Sequence, residues 1–463
     1  EISCSLVGSE MCIRDRYWAT RSSNTEGQEV RETMMRFDEY YDVVIVGTGA
    51  AGLYCALNFP KRYKVLLLTK QKADECDSFL AQGGICMQHG EADYRSFFED
   101  TMRAGHYEND AATVDLMIRS SNSIIRDLVR RGVRFARDEN GALRFTREGA
   151  HSRARILFHE DVTGREITQT LLAEALRCEN IELRENTVML DFFADAAACG
   201  GVVAMGPDGA VRAIGAGAVV LACGGIGGLY KNSTNYPHIT GDAIAMALRH
   251  GVACRHLDYI QIHPTTLFSR KKGRRFLISE SVRGEGALLL DKNGNRFTNE
   301  LQPRDVVSAA IRAQMEKDGT EHVWEDMRPI GEAVIREHFP NILERCEEEG
   351  YDPLHEPIPV VPAQHYFMGG IQADLSSRTA LPRLYACGET CCNGVHGRNR
   401  LASNSLLESL VFAQRAADDI LFGEPPAFTG DAPDLAPYRE TEPLFAAYRT
   451  EVLNAIERSK NHE

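Results

Sequence analysis

The chain has 463 residues, which is too many for one hydrophobic core, so we expect two or three domains. Its net charge of −14 argues against nucleic acid as a partner, because nucleic-acid binding depends on neutralising phosphates with basic side chains. We find no apolar stretch of about 18 residues, the length needed to span a membrane. The 13 cysteines are scattered, without zinc, iron–sulfur or disulfide spacing, which predicts a cytoplasmic protein with no metal site.

Residues 1–33 stand apart from the rest of the sequence. The stretch LVGSEMCIRD at residues 6–15 resembles the translation of an adapter used to prepare sequencing libraries. We therefore expect residues 1–33 to be an assembly remnant, with Met34 or Met35 as the natural start. The alternative is a disordered N-terminal arm, and in neither case do these residues contribute to the fold.

The segment VVIVGTGAAGL at residues 43–53 predicts a buried strand, a glycine turn and a helix. Gly47 permits the tight turn, Gly49 lets the backbone approach a pyrophosphate, and Gly52 lets the helix pack closely on the strand. The unpaired N–H groups at the start of such a helix attract an anion. The predicted dinucleotide turn consists of Gly47, Thr48, Gly49, Ala50, Ala51 and Gly52.

The next two segments extend this nucleotide-binding pattern. YKVLLLTK at residues 63–70 predicts a second strand, but it ends in Lys70, where NAD-binding folds carry Asp or Glu. That departure counts against plain NAD binding and indicates a different contact with the adenosine half. FLAQGGI at residues 79–85 is a second glycine turn, and Ser78 and Gln82 beside it can approach the edge of a flat ring.

Further along, apolar residues at helical spacing predict helices over residues 111–131 and 163–176. Two more strands run into glycines, in GAGAVVLACGGIGGLY at 215–230 and in RLYACGE at 383–389. Three strand–glycine junctions so far apart predict one α/β nucleotide-binding domain assembled from distant segments.

The domain boundaries follow from these junctions. We expect the nucleotide-binding domain to comprise residues 34–241 and 353–425, with a separate domain inserted at 242–352. Residues 426–463 begin with a proline-rich linker and continue into a helical region.

Ten segments between residue 41 and about residue 422 resemble one flavoprotein family. It includes L-aspartate oxidase and the flavoprotein subunits of succinate dehydrogenase and fumarate reductase. The segments are GTGAAGL, AQGGI, TGRE, LACGGIGGLY, TGDAIAMA, QIHPT, SESVRGEGALLL, RFTNELQPRDVVSAAI, HYFMGGI and CGETCCNGVHGRNRLASNSLLE. The resemblance implies a Rossmann-type FAD-binding domain, an inserted α+β capping domain, and a four-carbon dicarboxylate substrate.

The same resemblance implies how FAD is held. Beyond the dinucleotide turn, the expected cofactor-binding residues are Lys70, Ser78, Gln82, Gly83, Gly84, Asp242, Glu389, Ser405 and Leu406. Membrane-linked members attach FAD to a histidine five residues before the glutamine of AQGG. In this sequence that position is Asp77. A carboxylate cannot form the bond to the flavin, so we expect FAD to be bound non-covalently.

For the dicarboxylate, the resemblance implies binding by Arg400, His263, His365, Thr265 and Ser279. A guanidinium group suits this task, because its planar fork matches a carboxylate. Ser279 replaces the usual threonine of the family at its position.

Arg304, in QPRDVV, holds the family position of the proton-transferring arginine. Arginine is normally a poor acid, with a pKa above about 12. It can therefore serve only if it is held beside the reacting carbon with a relay behind it. Glu280 and Arg283, three residues apart in ESVR, would lie on one face of a helix and supply that relay.

The loop REGAHSRARIL at residues 147–157 resembles the oxidase form of the family, with Ala150 in place of its second glycine. Glu148 would then face the substrate. Aspartate carries an ammonium group that succinate lacks, and burying that group requires an anion. A glutamate there would favour aspartate and repel succinate.

These features imply FAD-dependent oxidation of L-aspartate to iminoaspartate, the first step of quinolinate and NAD synthesis. The hydride would pass to flavin N5, O2 or fumarate would reoxidise the cofactor, and quinolinate synthase would be a partner for handover of the product. The alternatives are a soluble fumarate reductase or succinate dehydrogenase-type flavoprotein, and a non-catalytic FAD-binding subunit that passes electrons to a partner. The family also carries a C-terminal helical domain, of which only the beginning is visible, so the chain is either truncated or a short form.

Overall fold

The structure is a computed structural model that describes residues 37, 39–271 and 273–460. The prediction for residues 1–33 lies outside these residues. The helices are α1 Ala50–Leu57, α2 Tyr94–Ala104, α3 Ala111–Arg131, α4 Thr163–Ala175, α5 Asp242–Arg249, α6 Glu280–Gly284, α7 Arg304–Asp318, α8 Glu332–His338, α9 Pro340–Glu348, α10 Asn404–Phe422 and α11 Thr441–Lys460. The strands are β1 Glu39–Val46, β2 Val65–Leu68, β3 Ile85–Cys86, β4 Phe145–Thr146, β5 Ile156–Leu157, β6 Ile181–Arg184, β7 Val188–Ala194, β8 Cys199–Met205, β9 Val211–Leu221, β10 Cys254–Arg255, β11 Ile260–Leu267, β12 Leu288–Leu290, β13 Val323–Asp326, β14 Ile358–Phe367, β15 Gly370–Gln372, β16 Leu384–Ala386 and β17 Cys391–Cys392.

The largest sheet provides the frame for nucleotide binding. Within the described residues it has seven strands in the order β6-β2-β1-β9-β8-β7, with β16 also paired to β9. Strands β6, β2, β1, β9 and β16 pair in parallel, whereas β8 and β7 continue beyond β9 as antiparallel strands. The predicted α/β nucleotide-binding architecture is therefore present, and the late strand β16 completes it as the third strand–glycine junction indicated.

Strand β1 is covered on both faces, which explains its continuous apolar sequence. Val43 and Ile45 belong to the core that the sheet forms with α1, α3, α4 and α10. Val44 belongs to the core on the opposite face, formed with α5 and α11. A strand buried on both faces needs apolar residues at every position. The predicted helix over 111–131 is confirmed by α3, and the helix predicted over 163–176 corresponds to α4.

The turn after β1 requires its first and third glycines. Gly47 has φ +113°, and a Cβ there would lie 2.0 Å from the carbonyl oxygen of Ala222 on the neighbouring strand connection. A Cβ at Gly52 would lie 1.9 Å from the carbonyl oxygen of Gly47. Both positions therefore exclude any side chain, and α1 can begin directly against the end of the strand.

A second, smaller sheet has four strands within the described residues. In the sequence, these strands come between β9 and β16 of the larger sheet. The order of the smaller sheet is β11-β14-β13-β12, and all its pairs are antiparallel. Apolar residues of α6, α7, α8 and α9 pack with it into a core of its own. We call the segment from β11 to β14, residues 260–367, the inserted unit.

The limits of the inserted unit differ from the predicted range 242–352. Helix α5 contributes Ala243–Ala247 to the core of the large sheet, and β14 pairs with β11 and β13 in the small sheet. An apolar helix pattern indicates that a helix is buried but not which core it joins. The sequence alone therefore could not assign α5 to the large sheet or to the inserted unit. We propose β11 and β14 as the limits of this unit.

The C-terminal segment folds back onto the large sheet. Tyr448, Val452 and Ile456 of α11 belong to the same core as α5, and the Tyr448 hydroxyl donates to the carbonyl of Leu190 at 2.7 Å. None of the helices in residues 39–271 and 273–460 combines the length and apolar character that crossing a membrane requires.

The inserted unit contains a buried carboxyl group that predicts an unusual pH dependence of stability. Glu325 of β13 is 0% exposed and pairs in register with Leu289, which belongs to the core of the unit. Neither carboxylate oxygen has a hydrogen-bond partner among the described residues. Burial raises the pKa of Glu325 to about 8. Between about pH 5 and pH 8 the folded chain therefore keeps a proton at Glu325 that the unfolded chain has lost.

Because the folded state binds this extra proton, stability should fall as the pH rises through that window. Glu325→Leu removes the titration, so the free energy of unfolding of this variant should exceed that of the wild type by an amount that grows with pH. The growth is at most about 1.4 kcal/mol per pH unit. Urea unfolding of the FAD-loaded proteins at pH 5, 6, 7 and 8 measures it, with Glu325→Gln as a second non-titrating variant. Curves that run parallel over this range would contradict the burial of an uncompensated carboxyl group.

Candidate active site

A cavity lies between the glycine turns of the large sheet and the inserted unit, and it collects most of the predicted site residues. Predicted residues that line it are Gly47, Thr48, Gly49, Ala51, Lys70, Asp77, Ser78, Gln82, Gly83, Gly84, Glu148, Asp242, His263, Ser279, Glu280, Arg304, His365, Glu389, Arg400, Ser405 and Leu406. The other predicted residues, Ala50, Gly52, Thr265 and Arg283, are buried behind its wall. Segments more than 300 residues apart in the sequence thus meet at one site.

At one end, the cavity meets the start of α1. The backbone N–H of Ala50 donates to the Ser78 hydroxyl at 3.1 Å, so the second glycine turn lies against the first. A Cβ at Gly49 would lie 3.2 Å from the same hydroxyl oxygen, which leaves little room for a side chain. The helix N-terminus and the bare backbone of the turn form a cradle suited to a pyrophosphate.

Beside this turn, Lys70 forms an ion pair with Asp242, with 2.6 Å between Nζ and Oδ2. Its ammonium group also donates to the carbonyl of His238 at 3.1 Å. Asp242 is the first residue of α5. A distant helix therefore places a carboxylate beside the end of the second strand, where NAD-binding folds carry Asp or Glu. A lysine at the strand end is compatible with a nucleotide site for this reason.

Further into the cavity, two buried polar atoms have no partner among the described residues, and FAD would provide one. They are Oδ2 of Asp77 and Oε1 of Gln82. Asp77 accepts a hydrogen bond from the backbone N–H of Tyr236 at 3.0 Å through its other oxygen, and burial raises its pKa to about 7. Glu389 accepts from the backbone N–H of Phe367 at 2.9 Å. Burial and the nearby Asp77 raise the pKa of Glu389 well above its ordinary value. These groups, with the bare turns, fit an extended dinucleotide.

Two arginines meet on one carboxamide in the part of the cavity that faces the inserted unit. Arg304 donates from Nη1 to Oε1 of Gln261 at 2.8 Å, and Arg400 donates from Nε to the same oxygen at 3.2 Å. The amide nitrogen of Gln261 donates to the carbonyl of Arg400 at 2.7 Å. Gln261 thereby holds both guanidinium groups in one orientation, a role that the sequence reasoning missed. The available signal was its position on a strand two residues before His263.

The predicted histidines lie together beside these arginines. The rings of His263 and His365 meet edge to face, with centroids 5.1 Å apart. Burial lowers the pKa of each well below its ordinary value, and the positive charge of Arg304 lowers both further. Nδ1 of His263 lies 2.9 Å from the carbonyl oxygen of Thr265 and 3.2 Å from its backbone nitrogen, so either tautomer has a partner there, while Nε2 is buried without a partner among the described residues. With its proton on Nε2, a neutral His263 can donate to a carboxylate.

Arg304, Glu280 and Arg283, the residues of the predicted relay, lie close together. Arg304 donates from Nε to Oε2 of Glu280 at 2.5 Å, and Nη2 of Arg283 lies 3.7 Å from the same oxygen. Glu280 and Arg283 share one turn of α6, as their spacing predicts. Burial raises the pKa of Glu280, but the two guanidinium groups outweigh that effect and leave its pKa below the ordinary value. Glu280 is therefore an ionised link between the two arginines.

Thr265, which is expected to contact the substrate, uses its hydroxyl in hydrogen bonds within the protein. Its hydroxyl donates to the carbonyl of Ile278 at 3.1 Å and accepts from Nη1 of Arg283 at 2.5 Å. The side chain is 0% exposed and is not among those that line the cavity. Thr265 orients Arg283 and, through its backbone, His263.

Glu148 is buried in the same cavity, with 4% of its surface exposed. Its Oε1 accepts from the hydroxyl of Ser281 at 2.8 Å, and its Oε2 accepts from that of Ser403 at 2.6 Å. Burial and the negative charge of Glu280 raise the pKa of Glu148. Behind it, Arg155 is 0% exposed and binds Asp93, Asp100 and His151, which fixes the loop that carries Glu148. No pattern in the sequence predicts this network.

The comparisons with known proteins agree with this geometry. The sequence model of the family described as "FAD binding domain" matches residues 42–406. An E. coli quinol fumarate reductase structure superimposes with a TM-score of 0.78 at 30% identity, covering 90% of this chain and 74% of that one. The chain is therefore an FAD-binding oxidoreductase of α/β fold.

The curated relatives narrow this class. L-aspartate oxidase of Clostridium perfringens is 49% identical over 380 residues, which is 82% of this chain and 86% of the relative. L-aspartate oxidase of Clostridium acetobutylicum is 47% identical over 380 residues, covering 82% of this chain and 87% of the relative. The chain belongs to the L-aspartate oxidase family.

Asp77 predicts how the cofactor is attached. It lies in the cavity at the position where an attaching histidine would stand, and a carboxylate forms no such bond. After acid precipitation, the FAD should therefore remain in the supernatant and leave a colourless pellet. Absorbance of both fractions at the flavin bands measures this. A yellow, fluorescent pellet that withstands washing in denaturant would show a covalent bond and disprove the expectation.

Proposed function

We propose that this protein oxidises L-aspartate to iminoaspartate in this cavity, with FAD as the cofactor. The observation that carries the proposal is the buried Glu148 beside the paired arginines Arg304 and Arg400. Aspartate carries two carboxylates and one ammonium group, and the cavity offers counter-charges for all three. The L-aspartate oxidases of two Clostridium species, similar over most of this chain, support the same substrate.

The carboxylates would be bound by Arg400, His263 and His365. Arg400 is 6% exposed, and burial together with Arg304 lowers its pKa to about 10. Arg400 therefore remains a cation at neutral pH. Because it is buried away from water, a carboxylate partner would stabilise its charge. The neutral histidines would add hydrogen bonds without adding charge. Ser279 lines the cavity at the N-cap of α6 and would contact the substrate, although its hydroxyl proton is donated to Ser281.

The ammonium group would be bound by Glu148. A cation taken out of water without a partner costs several kcal/mol, so this contact would largely determine the affinity for aspartate. Succinate and fumarate lack the cation, and for them the buried carboxylate of Glu148 is a source of repulsion. This argument favours aspartate oxidation over the alternative of a soluble fumarate reductase or succinate dehydrogenase-type enzyme.

Bound FAD supplies a two-electron acceptor that takes the hydride at flavin N5. Arg304 would receive the proton that the substrate loses while passing its own proton to the ionised Glu280, because it lines the cavity and donates to that carboxylate. Glu280 and Arg283 would then relay the charge away from the site. Gln261 orients Arg304 by holding the other end of its guanidinium fork.

We further propose that the inserted unit acts as a cap over the substrate. It supplies His263, Glu280, Arg304 and His365 to the cavity, whereas Arg400 and Glu148 come from the other domain. Neither part alone forms the site. O2 or fumarate would reoxidise the reduced cofactor. The imine product hydrolyses readily in water, which favours direct handover to quinolinate synthase.

The first test concerns Arg304. Arg304→Lys keeps a positive charge but loses the planar fork that reaches both Glu280 and Gln261. It should bind FAD normally and lower kcat for aspartate by about 10²- to 10⁴-fold, the range expected when an acid–base group is displaced. Stopped-flow flavin reduction measures the effect. Arg312→Lys, an exposed change on the same helix, is the matched control. Near-normal flavin reduction by Arg304→Lys would remove Arg304 from the mechanism.

The second test concerns Glu148. Glu148→Gln keeps the size of the side chain and removes its charge. It should cost about 2–4 kcal/mol of aspartate binding or transition-state stabilisation, because a desolvated charge pair is lost. Selectivity for aspartate over succinate should fall by about 30-fold or more.

Steady-state kcat/KM for aspartate and the inhibition constant of succinate provide the comparison. Glu139→Gln, in an exposed loop, controls for the general effect of a neutralised glutamate. An equal loss for both ligands, or no loss, would rule out the aspartate-specific reading and favour the fumarate reductase alternative.

A further inference from the structure

The structure assigns a specificity role to Ser281, on the first turn of α6. We propose that Ser281 is a positioning residue that aims the Glu148 carboxylate at the substrate ammonium group. The inference rests on the proposed function, because it concerns how Glu148 recognises aspartate. Through Ser281, recognition of the ammonium group depends on the position of the inserted unit.

The geometry consists of two hydroxyl groups that hold one carboxylate from opposite sides. Ser281 Oγ donates to Oε1 of Glu148 at 2.8 Å, and Ser403 Oγ donates to Oε2 at 2.6 Å. Ser281 belongs to the inserted unit, whereas Ser403 directly precedes α10 of the FAD-binding domain. The orientation of Glu148 is therefore fixed only when both domains are in contact with it.

Ser281 is itself held in place by the N-cap of α6. The Ser279 hydroxyl accepts from the backbone N–H of Ser281 at 3.2 Å, and the two hydroxyl oxygens are also 3.2 Å apart. A Ser281 hydroxyl that accepts from Ser279 must turn its own proton towards Glu148. The neighbouring Glu280 binds Arg304 at 2.5 Å, so one helical turn orients both the proton-handling arginine and the ammonium-binding carboxylate.

Close backbone packing keeps the Glu148 loop against this turn. A Cβ at Gly149 would lie 2.5 Å from Oε1 of Glu280, and a Cβ at Gly284 would lie 2.9 Å from the carbonyl oxygen of Arg147. On the other side, a Cβ at Gly83 would lie 2.6 Å from Oε1 of Glu148. The carboxylate therefore fits between the flavin-lining turn and α6 with little lateral freedom.

Loss of the Ser281 hydroxyl should affect aspartate selectively. Without it, one oxygen of Glu148 has no fixed donor, and repulsion from Glu280 favours turning the carboxylate away. A ligand with an ammonium group then loses a pre-oriented partner. Succinate has no group for Glu148 to bind, so its affinity does not depend on this orientation.

The experiment is a double-mutant cycle on the FAD-loaded enzyme. Wild type, Ser281→Ala, Glu148→Gln and the double variant are compared by kcat/KM for aspartate and by the inhibition constant of succinate. Ser281→Ala should lower kcat/KM for aspartate by about 5- to 30-fold, mainly through KM, the range expected for one hydrogen bond to a charged group. The succinate constant should change by less than about 2-fold, since no hydrogen bond to it is lost. In the Glu148→Gln background, Ser281→Ala should have no further effect on aspartate.

Two controls separate positioning from general damage. Ser281→Thr keeps the hydroxyl and should restore most of the aspartate activity. Ser459, on the C-terminal helix α11, donates a similar hydrogen bond to Asp258 at 2.5 Å. Ser459→Ala removes that bond and should leave both constants unchanged.

Equal losses for aspartate and succinate in Ser281→Ala, or an undiminished loss in the Glu148→Gln background, would overturn the role of Ser281. Absence of aspartate turnover in the wild type would instead overturn the proposed function. The two failures are therefore distinguishable.

Discussion

Two guanidinium groups buried in one cavity are the constraint on which the site depends. Arg304 and Arg400 are 7% and 6% exposed, and both donate to the same oxygen of Gln261. Like charges in a dry cavity repel, which contributes to lowering the pKa of Arg400 to about 10. The protein compensates with a shared acceptor and with Glu280 on the far side of Arg304. A carboxylate of the proposed substrate would complete the compensation at Arg400.

That constraint also explains why the site lies between two structural units. Burying several charges requires hydrogen-bond partners from many directions, and a single sheet edge offers few. The large domain supplies Arg400 and the turns around Gly47 and Gly83, while the inserted unit supplies Glu280 and Arg304. Each unit has its own apolar core, which keeps its contribution rigid. The charged residues can then meet at a boundary that either unit alone would leave open to water.

Local sequence patterns predicted the elements and motifs but not the contacts across this boundary. The strand and turn at Gly47 and the relay pair on α6 follow from spacing within a few residues. The Lys70–Asp242 pair and the Gln261 bridge join segments far apart, and no local pattern encodes such a pairing. Thr265 was assigned to the substrate because it lies in a family motif, but a β-bulge beside it turns its hydroxyl inward to Arg283. The apolar pattern of α5 likewise indicates that the helix is buried, but not that it packs on the large sheet.

Glu148 and Glu280 show how position gives two buried carboxyl groups of the cavity different roles. Glu280 lies within reach of two guanidinium groups, and its pKa is held below the ordinary value although it is buried. Among the described residues Glu148 has only serine hydroxyls as hydrogen-bond donors, and its pKa is raised by burial and by Glu280. A cation entering beside Glu148 therefore gains more than it would beside Glu280, whose charge is already compensated. Because environments that separate two carboxyl pKa values also separate their functions, Glu280 is suited to hold Arg304 and Glu148 to receive an ammonium group.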